Sequence, residues 1–122
     1  MVEIGKSNTT PSWELESAIN EKTACVSYIF SPFHRYPLSL KEVVEIAHHH
    51  EVPVIVDAAA ETPPAANLKK FISEGADMVT FSGGKGIRGP QSTGILCGRR
   101  DLVDAAVLNS LNYHSPHANI GR

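Results

Sequence analysis

An α/β fold built on a largely parallel sheet is what the 122-residue sequence predicts, and three features predict it. Short apolar runs alternate with amphipathic stretches, most of those runs are rich in β-branched or aromatic residues, and capping or turn residues separate the two kinds of segment. The strand-like runs are 24–30 (ACVSYIF), 52–56 (VPVIV), 76–81 (ADMVTF) and 94–97 (GILC).

Taken in order, VEIG at the start reads as a strand. Thr10-Pro11 then opens a helix with Pro11 at its first position and Trp13 packed in its first turn. Ser39 and Glu42 form a capping box ahead of Leu40, Val43, Val44 and Ala47 at helical spacing. Pro63-Pro64 opens a third helix, which turns Leu68, Phe71 and Ile72 inward and stops at Gly75. A fourth pattern, from about Asp101 to Leu111, places Leu102, Val103, Ala106, Val107 and Leu111 on one face. Such alternation implies parallel strands joined by right-handed crossovers. Only about eleven residues, glycine-rich and containing Pro90, separate the third and fourth runs, too few for a helical crossover. The fourth strand is therefore predicted antiparallel, giving a three-layer αβα arrangement with a mainly parallel sheet and one antiparallel strand. Both ends read as cut, since a sheet of a few strands leaves unpaired edges, so residues 1–122 are expected to be a fragment of a larger domain.

Composition narrows the function. With 42% hydrophobic and 20% charged residues the chain is in the ordinary globular range and long enough for one core. No apolar run approaches the roughly 20 residues of a membrane span, and no secretory signal opens the chain, so a cytoplasmic protein is expected. The formal net charge is -2, and the only adjacent basic pairs are Lys69-Lys70 and Arg99-Arg100, so nucleic-acid binding is not expected of this segment. Cys25 and Cys97 are isolated and are expected to be buried thiols. His48, His49 and His50 invite a metal reading. Consecutive helical residues point about 100 degrees apart, however, and a helix C-terminal turn explains the three better than a shared ion. His34, His114 and His117 lie in loop-like segments and receive no role.

The stretch 80–94, TFSGGKGIRGPQSTG, carries the chemistry. A triphosphate loop, GxxxxGK followed by Ser or Thr, fails at Val79 and at Gly86. The dinucleotide pattern GxGxxG matches Gly84, Gly86 and Gly89, yet it must open a helix, and Pro90 with a strand-like STGILCG follows instead. A third reading starts from position. Ligands of open parallel sheets sit at the carboxyl ends of strands, where Asp57 ends VPVIVD and Lys85 lies just past MVTFS. Neighbouring strands are roughly 5 Å apart, so the two side chains can reach opposite ends of one pyridine-sized ring, as in a pyridoxal phosphate site. Asp57 would pair with the protonated ring nitrogen and Lys85 would form the imine with the aldehyde carbon. A free lysine titrates near 10.4, so only about one in a few thousand is neutral at pH 7 and the site must favour the neutral amine. No Asp or Glu lies between Asp77 and Asp101, which suits that need, as would burial near the cofactor. Gly83, Gly84 and Gly86 are expected to supply positive φ and close backbone approach. Ser82 offers a hydroxyl to a phosphate oxygen, and Arg88 could grip a substrate carboxylate or phosphate.

VIVDAAAE (54–61) and TFSGGKGIRGPQSTG, separated by one helix, resemble the cofactor-binding core of the fold-type I pyridoxal phosphate enzymes. More narrowly they resemble the selenocysteine synthase family, the L-seryl-tRNA(Sec) selenium transferases and their relatives, over essentially the whole chain, PLSLKEVVEIAHHHEVPVIVDAAAE included. The resemblance implies that Lys85 is the Schiff-base lysine, Asp57 the partner of the pyridine nitrogen and Ser82 a phosphate contact. It also implies that Gln91 and Thr93 can reach a neighbouring subunit's cofactor in a homo-oligomer. GGKGIRGPQSTG is nearer to the branch that includes the ammonia-lyase of a phosphorylated amino sugar acid than to the members that selenylate seryl-tRNA. A small amino-acid-type substrate is thus implied before tRNA. The family's upstream phosphate loop, ring-stacking residue and C-terminal small domain have no counterpart here, so the chain is expected to be part of the large domain. β-Elimination or β-replacement is the reaction type implied. Two rivals stand beside it: a non-catalytic truncated fragment that packs with a partner chain, and a dinucleotide-binding oxidoreductase with a helix beginning near Gly86.

Overall fold

The computed structural model describes residues 1–6, 9–31 and 38–110. Its order is α1 (Ser12–Ala18), β1 (Val26–Ile29), α2 (Leu40–His49), β2 (Val54–Asp57), α3 (Asn67–Ser73), β3 (Met78–Ser82), β4 (Gly94–Gly98) and α4 (Arg100–Leu108). The four strands form one sheet in the order β1-β2-β3-β4. β1, β2 and β3 are parallel, and β4 returns antiparallel to β3, as the short connection requires. The dinucleotide reading ends here: turns, not a helix, follow Ser82, and an antiparallel strand occupies residues 94–98.

Strand faces differ sharply. Val54, Val56, Val79 and Phe81 alternate with less buried neighbours and join Val43 and Ala47 of α2 and Phe71 of α3 in one apolar core. Phe71 packs edge-on against Phe30, with ring centroids 5.0 Å apart. The other face carries Ile55, Asp57, Met78, Thr80 and Ser82, all partly accessible.

Local signals hold well at α2. Ser39 Oγ accepts from the Glu42 N–H and the Glu42 carboxylate accepts from the Ser39 N–H, completing the capping box. Elsewhere the elements are trimmed. Pro11 is the residue before α1 rather than its first, Trp13 is 68% exposed, and turns separate Pro63-Pro64 from the start of α3. VEIG is not a strand; the nearest pairing is an isolated bridge between Lys6 and Thr9. Cys25 is exposed because it precedes β1, an edge strand, while Cys97 is half-buried and its burial pushes the thiol pKa up. α4 has no buried residue, although Leu102, Val103 and Ala106 are partly covered. Leu111, His34, His114 and His117 lie outside the described residues. No helix among the described residues is long and apolar enough to cross a membrane.

Candidate active site

The site is built at the carboxyl ends of β2 and β3. Asp57 is the last residue of β2 and stands in register with Thr80 on β3, two residues before Ser82 ends that strand. Side chains in register on parallel neighbours point the same way, so Asp57, Thr80 and Ser82 share the less buried face. The ladder continues past both strands: the Ala58 N–H donates to the Thr80 carbonyl at 3.0 Å and the Ser82 N–H to the Ala59 carbonyl at 3.2 Å. These bonds tie the loop after Asp57 to the strand that delivers Lys85.

Asp57 is half-buried. Its Oδ1 accepts from the Ala59 N–H at 3.0 Å, the geometry of an aspartate that opens a turn. No other hydrogen bond to its carboxylate comes from the described residues, so its second oxygen is uncommitted among them. A turn aspartate and a ligand-facing one are here the same residue.

The lysine loop is a compact set of turns. The Gly83 N–H donates to the Thr93 carbonyl at 2.8 Å, the Gly89 N–H to the Gly83 carbonyl at 2.7 Å and the Arg88 N–H to the Lys85 carbonyl at 2.9 Å. Thr93 Oγ1 donates to the Pro90 carbonyl at 2.6 Å, which commits that hydroxyl's proton to the loop itself. The Gln91 amide lies beside Gly84. Lys85, Ser82, Arg88, Gln91 and Thr93 are thus gathered in one hairpin, and Asp57 adjoins it through β2.

Two expectations change. None of Gly83, Gly84 and Gly86 has a positive φ; the left-handed residues of the loop are Arg88 at 58° and Ser92 at 60°. The glycines serve close approach instead. A Cβ on Gly86 would overlap the Thr62 carbonyl oxygen and fall 2.6 Å from Pro63 Cδ, so the lysine loop can lie on the 62–63 backbone only because residue 86 has no side chain. Lys85 itself is exposed rather than buried, because its turn projects beyond the end of β3 while the described helices pack along the strands.

Sequence reasoning missed two residues. Thr62 Oγ1 is buried with no hydrogen-bond partner, next to the Gly86 contact. Buried hydroxyls are rarely left unpaired, and no sequence signal marks this one. Together with the open Asp57 oxygen, the Ser82 hydroxyl and the Lys85 amine, it forms a polar set uncommitted among the described residues. That set fits a flat ring with polar groups at both ends, such as pyridoxal phosphate.

The second is Asp77, at the opposite end of the sheet. It is 7% exposed and accepts from His48 Nε2 at 2.7 Å, the Val54 N–H at 2.8 Å and Arg99 Nη1 at 3.2 Å. Burial pushes its carboxyl up, but the bonds from His48, Val54 and Arg99 outweigh it and hold the pKa below the ordinary value. An acid heading an apolar run was the available signal; its side-chain partners lie 29 and 22 residues away. His50 turns instead to Glu16 Oε1 at 2.6 Å, so the histidine run diverges as helical spacing requires.

Adjacent parallel strands that end in an aspartate and a lysine loop are the arrangement of the fold-type I pyridoxal phosphate enzymes. The L-seryl-tRNA selenium transferase family model matches residues 1–114, and the chain belongs to that family. It is 42% identical over 107 residues to the D-glucosaminate-6-phosphate ammonia lyase of Salmonella typhimurium, covering 86% of this chain and 28% of the relative. It is 43% identical over 107 residues to a Streptomyces 5'-C-glycyluridine monooxygenase-decarboxylase, covering 85% of this chain and 26% of that one. A solved D-glucosaminate-6-phosphate ammonia-lyase superposes with a TM-score of 0.73 at 40% identity, over 85% of this chain and 27% of that one. An O-acetylhomoserine (thiol)-lyase structure from Campylobacter jejuni, which carries a pyridoxyl-lysine monophosphate, superposes at 0.57 with 25% identity, over 75% of this chain and 22% of that one. The chain therefore spans about a quarter of the length of the curated relatives it matches.

Proposed function

We propose that this chain supplies the cofactor-holding part of the large domain of a pyridoxal phosphate-dependent lyase or transferase. It would act by β-elimination or β-replacement on an amino acid or amino sugar acid, in a homo-oligomer. The observation that carries the reading is the shared rim: Asp57 and the Lys85 loop leave adjacent parallel strands and are bonded to each other through Ala58, Ala59, Thr80 and Ser82.

Each residue then has a task. The second oxygen of Asp57 would accept a hydrogen bond from the protonated ring nitrogen, a charge-assisted bond that would hold the ring oriented. Ser82 would offer its hydroxyl to the phosphate, and Gln91 and Thr93, paired across the hairpin with Gly84 and Gly83, would reach a neighbouring subunit's site. When bound, pyridoxal phosphate supplies an electron sink for the pair left behind when the substrate's α-carbon loses a proton. Lys85 Nζ would accept that proton and return it to the departing β-substituent. Resemblance to an ammonia lyase favours a small acid over seryl-tRNA as substrate.

Exposure of Lys85 favours one rival, a chain that keeps the lysine loop only to pack against a partner. Borohydride reduction after addition of pyridoxal phosphate separates the two. A phosphopyridoxyl adduct confined by peptide mass to Lys85, and lost in Lys85→Ala, is the expected result. Adducts spread over several lysines and unchanged in the variant would defeat the cofactor reading and favour the rival.

A further inference from the structure

Arg88 differs from the other arginines of the described structure. Arg99 is held by Asp77 and Asp101, and Arg100 by Asp104, whereas no carboxylate among the described residues pairs with Arg88. Its backbone sits at φ 58°, a conformation that costs a non-glycine residue about 1 kcal/mol or more, and glycines flank the position on either side of the loop. The bond from its N–H to the Lys85 carbonyl closes a tight turn, which brings residues 85 and 88 close together. Between Asp77 and Arg99 the only charged side chains are Lys85 and Arg88, so the hairpin presents two cations and no anion. An exposed guanidinium with no carboxylate partner among the described residues, on the same tight turn as the Lys85 amine, is available to hold an oxyanion, and its planar fork matches carboxylate or phosphate oxygens in pairs.

We infer that Arg88 is a specificity-determining residue that grips an oxyanion of the substrate, carboxylate or phosphate, while the substrate amine is held at Lys85. This rests on the cofactor reading above. It also gives the left-handed backbone a reason: a glycine would relieve the strain but could not bind the anion.

That contrast supplies the test. Arg88→Gly suits a positive φ and should leave thermal stability equal or slightly raised, so any loss of binding is not a loss of fold. Pyridoxal phosphate-loaded wild type, Arg88→Gly and Arg88→Lys are titrated calorimetrically with serine and with O-phosphoserine, and Lys85 labelling is measured in parallel. The expected result is persistent labelling in all three proteins and a loss of affinity in Arg88→Gly of about tenfold or more, with Arg88→Lys recovering part of it. Loss for both ligands assigns the carboxylate; loss for O-phosphoserine alone assigns the phosphate. Equal affinities with labelling intact, or no binding of either ligand to wild type, overturn the assignment and leave the cofactor reading standing. Loss of pyridoxal phosphate itself from Arg88→Gly also overturns it, by placing Arg88 on the cofactor. Absence of specific Lys85 labelling in wild type removes the cofactor reading and the Arg88 role with it.

Discussion

Asp57 and Asp77 sit at opposite ends of the same sheet, and they are used in opposite ways. Asp77 is buried at the amino end of β3, where α2, β2 and the residue after β4 each send it a donor, so its acceptor capacity is consumed by the fold. Asp57, at the carboxyl end of β2, is half-buried and accepts a single bond from two residues away. The lysine hairpin spans this contrast. At its closed end lie Lys85 and uncommitted polar groups; at its open end the Arg99 N–H donates to the Asp77 carbonyl at 2.8 Å while the Arg99 guanidinium holds the Asp77 carboxylate. One end of the sheet is locked by its polar groups, and the other keeps them available.

The sharpest way to break this comparison is to remove the locked carboxylate. Asp77→Ala strands the Val54 N–H and leaves Arg99 and His48 facing a void, and should cost about 2–4 kcal/mol in chemical denaturation. The contribution is pH-dependent with a definite sign. The folded pKa of Asp77 lies below its ordinary value of 3.8, so its stabilisation is full above that pH and is lost as pH falls through the depressed folded value. Wild type should therefore lose unfolding free energy over that acid range, and Asp77→Asn should lose less of it. A variant as stable as wild type at neutral pH would show that the cluster is incidental.

Next in size is Gly86→Ala. Its methyl must displace either the lysine loop or the 62–63 backbone, at about 1–3 kcal/mol of stability, and Lys85 labelling by pyridoxal phosphate should fall with it. Retained labelling with unchanged stability would mean that the contact yields without consequence.

The smallest stability effect is expected at the open carboxylate. Asp57→Ala removes one local bond and should change stability by about 1 kcal/mol or less, yet it should abolish retention of pyridoxal phosphate, followed by its visible absorbance after gel filtration. If Asp57→Ala instead destabilises as much as Asp77→Ala, the two ends are not divided between binding and structure in the way their hydrogen bonds indicate.

Much of the candidate site was legible because its cues are local. The apolar run VPVIV followed by an aspartate, the glycine-rich loop with one lysine, and Pro90 before a second short run each constrain a few neighbouring residues. Those constraints also carry the strand directions, since about eleven residues cannot hold a helical crossover. The capping box at Ser39 and Glu42 is local in the same sense. Misreadings arose where the deciding contact is distant. Apolar composition around Cys25 suggested burial, but an edge strand leaves that thiol exposed, and Pro63-Pro64 resembled a helix start although turns intervene before Asn67.

Apart from the strand expected at VEIG, the sequence by itself determined the order of strands and helices, the antiparallel return of β4 and the positions of Asp57 and Lys85 at strand ends, because periodicity and loop length act over a dozen residues or fewer. Only the tertiary structure decided that Gly86 is there to clear the Thr62 carbonyl, that Arg88 and not a glycine takes the left-handed backbone, and that Asp77 joins His48 to Arg99. Each of these depends on which atoms the folded chain brings together from elements far apart in sequence, and no local pattern encodes that.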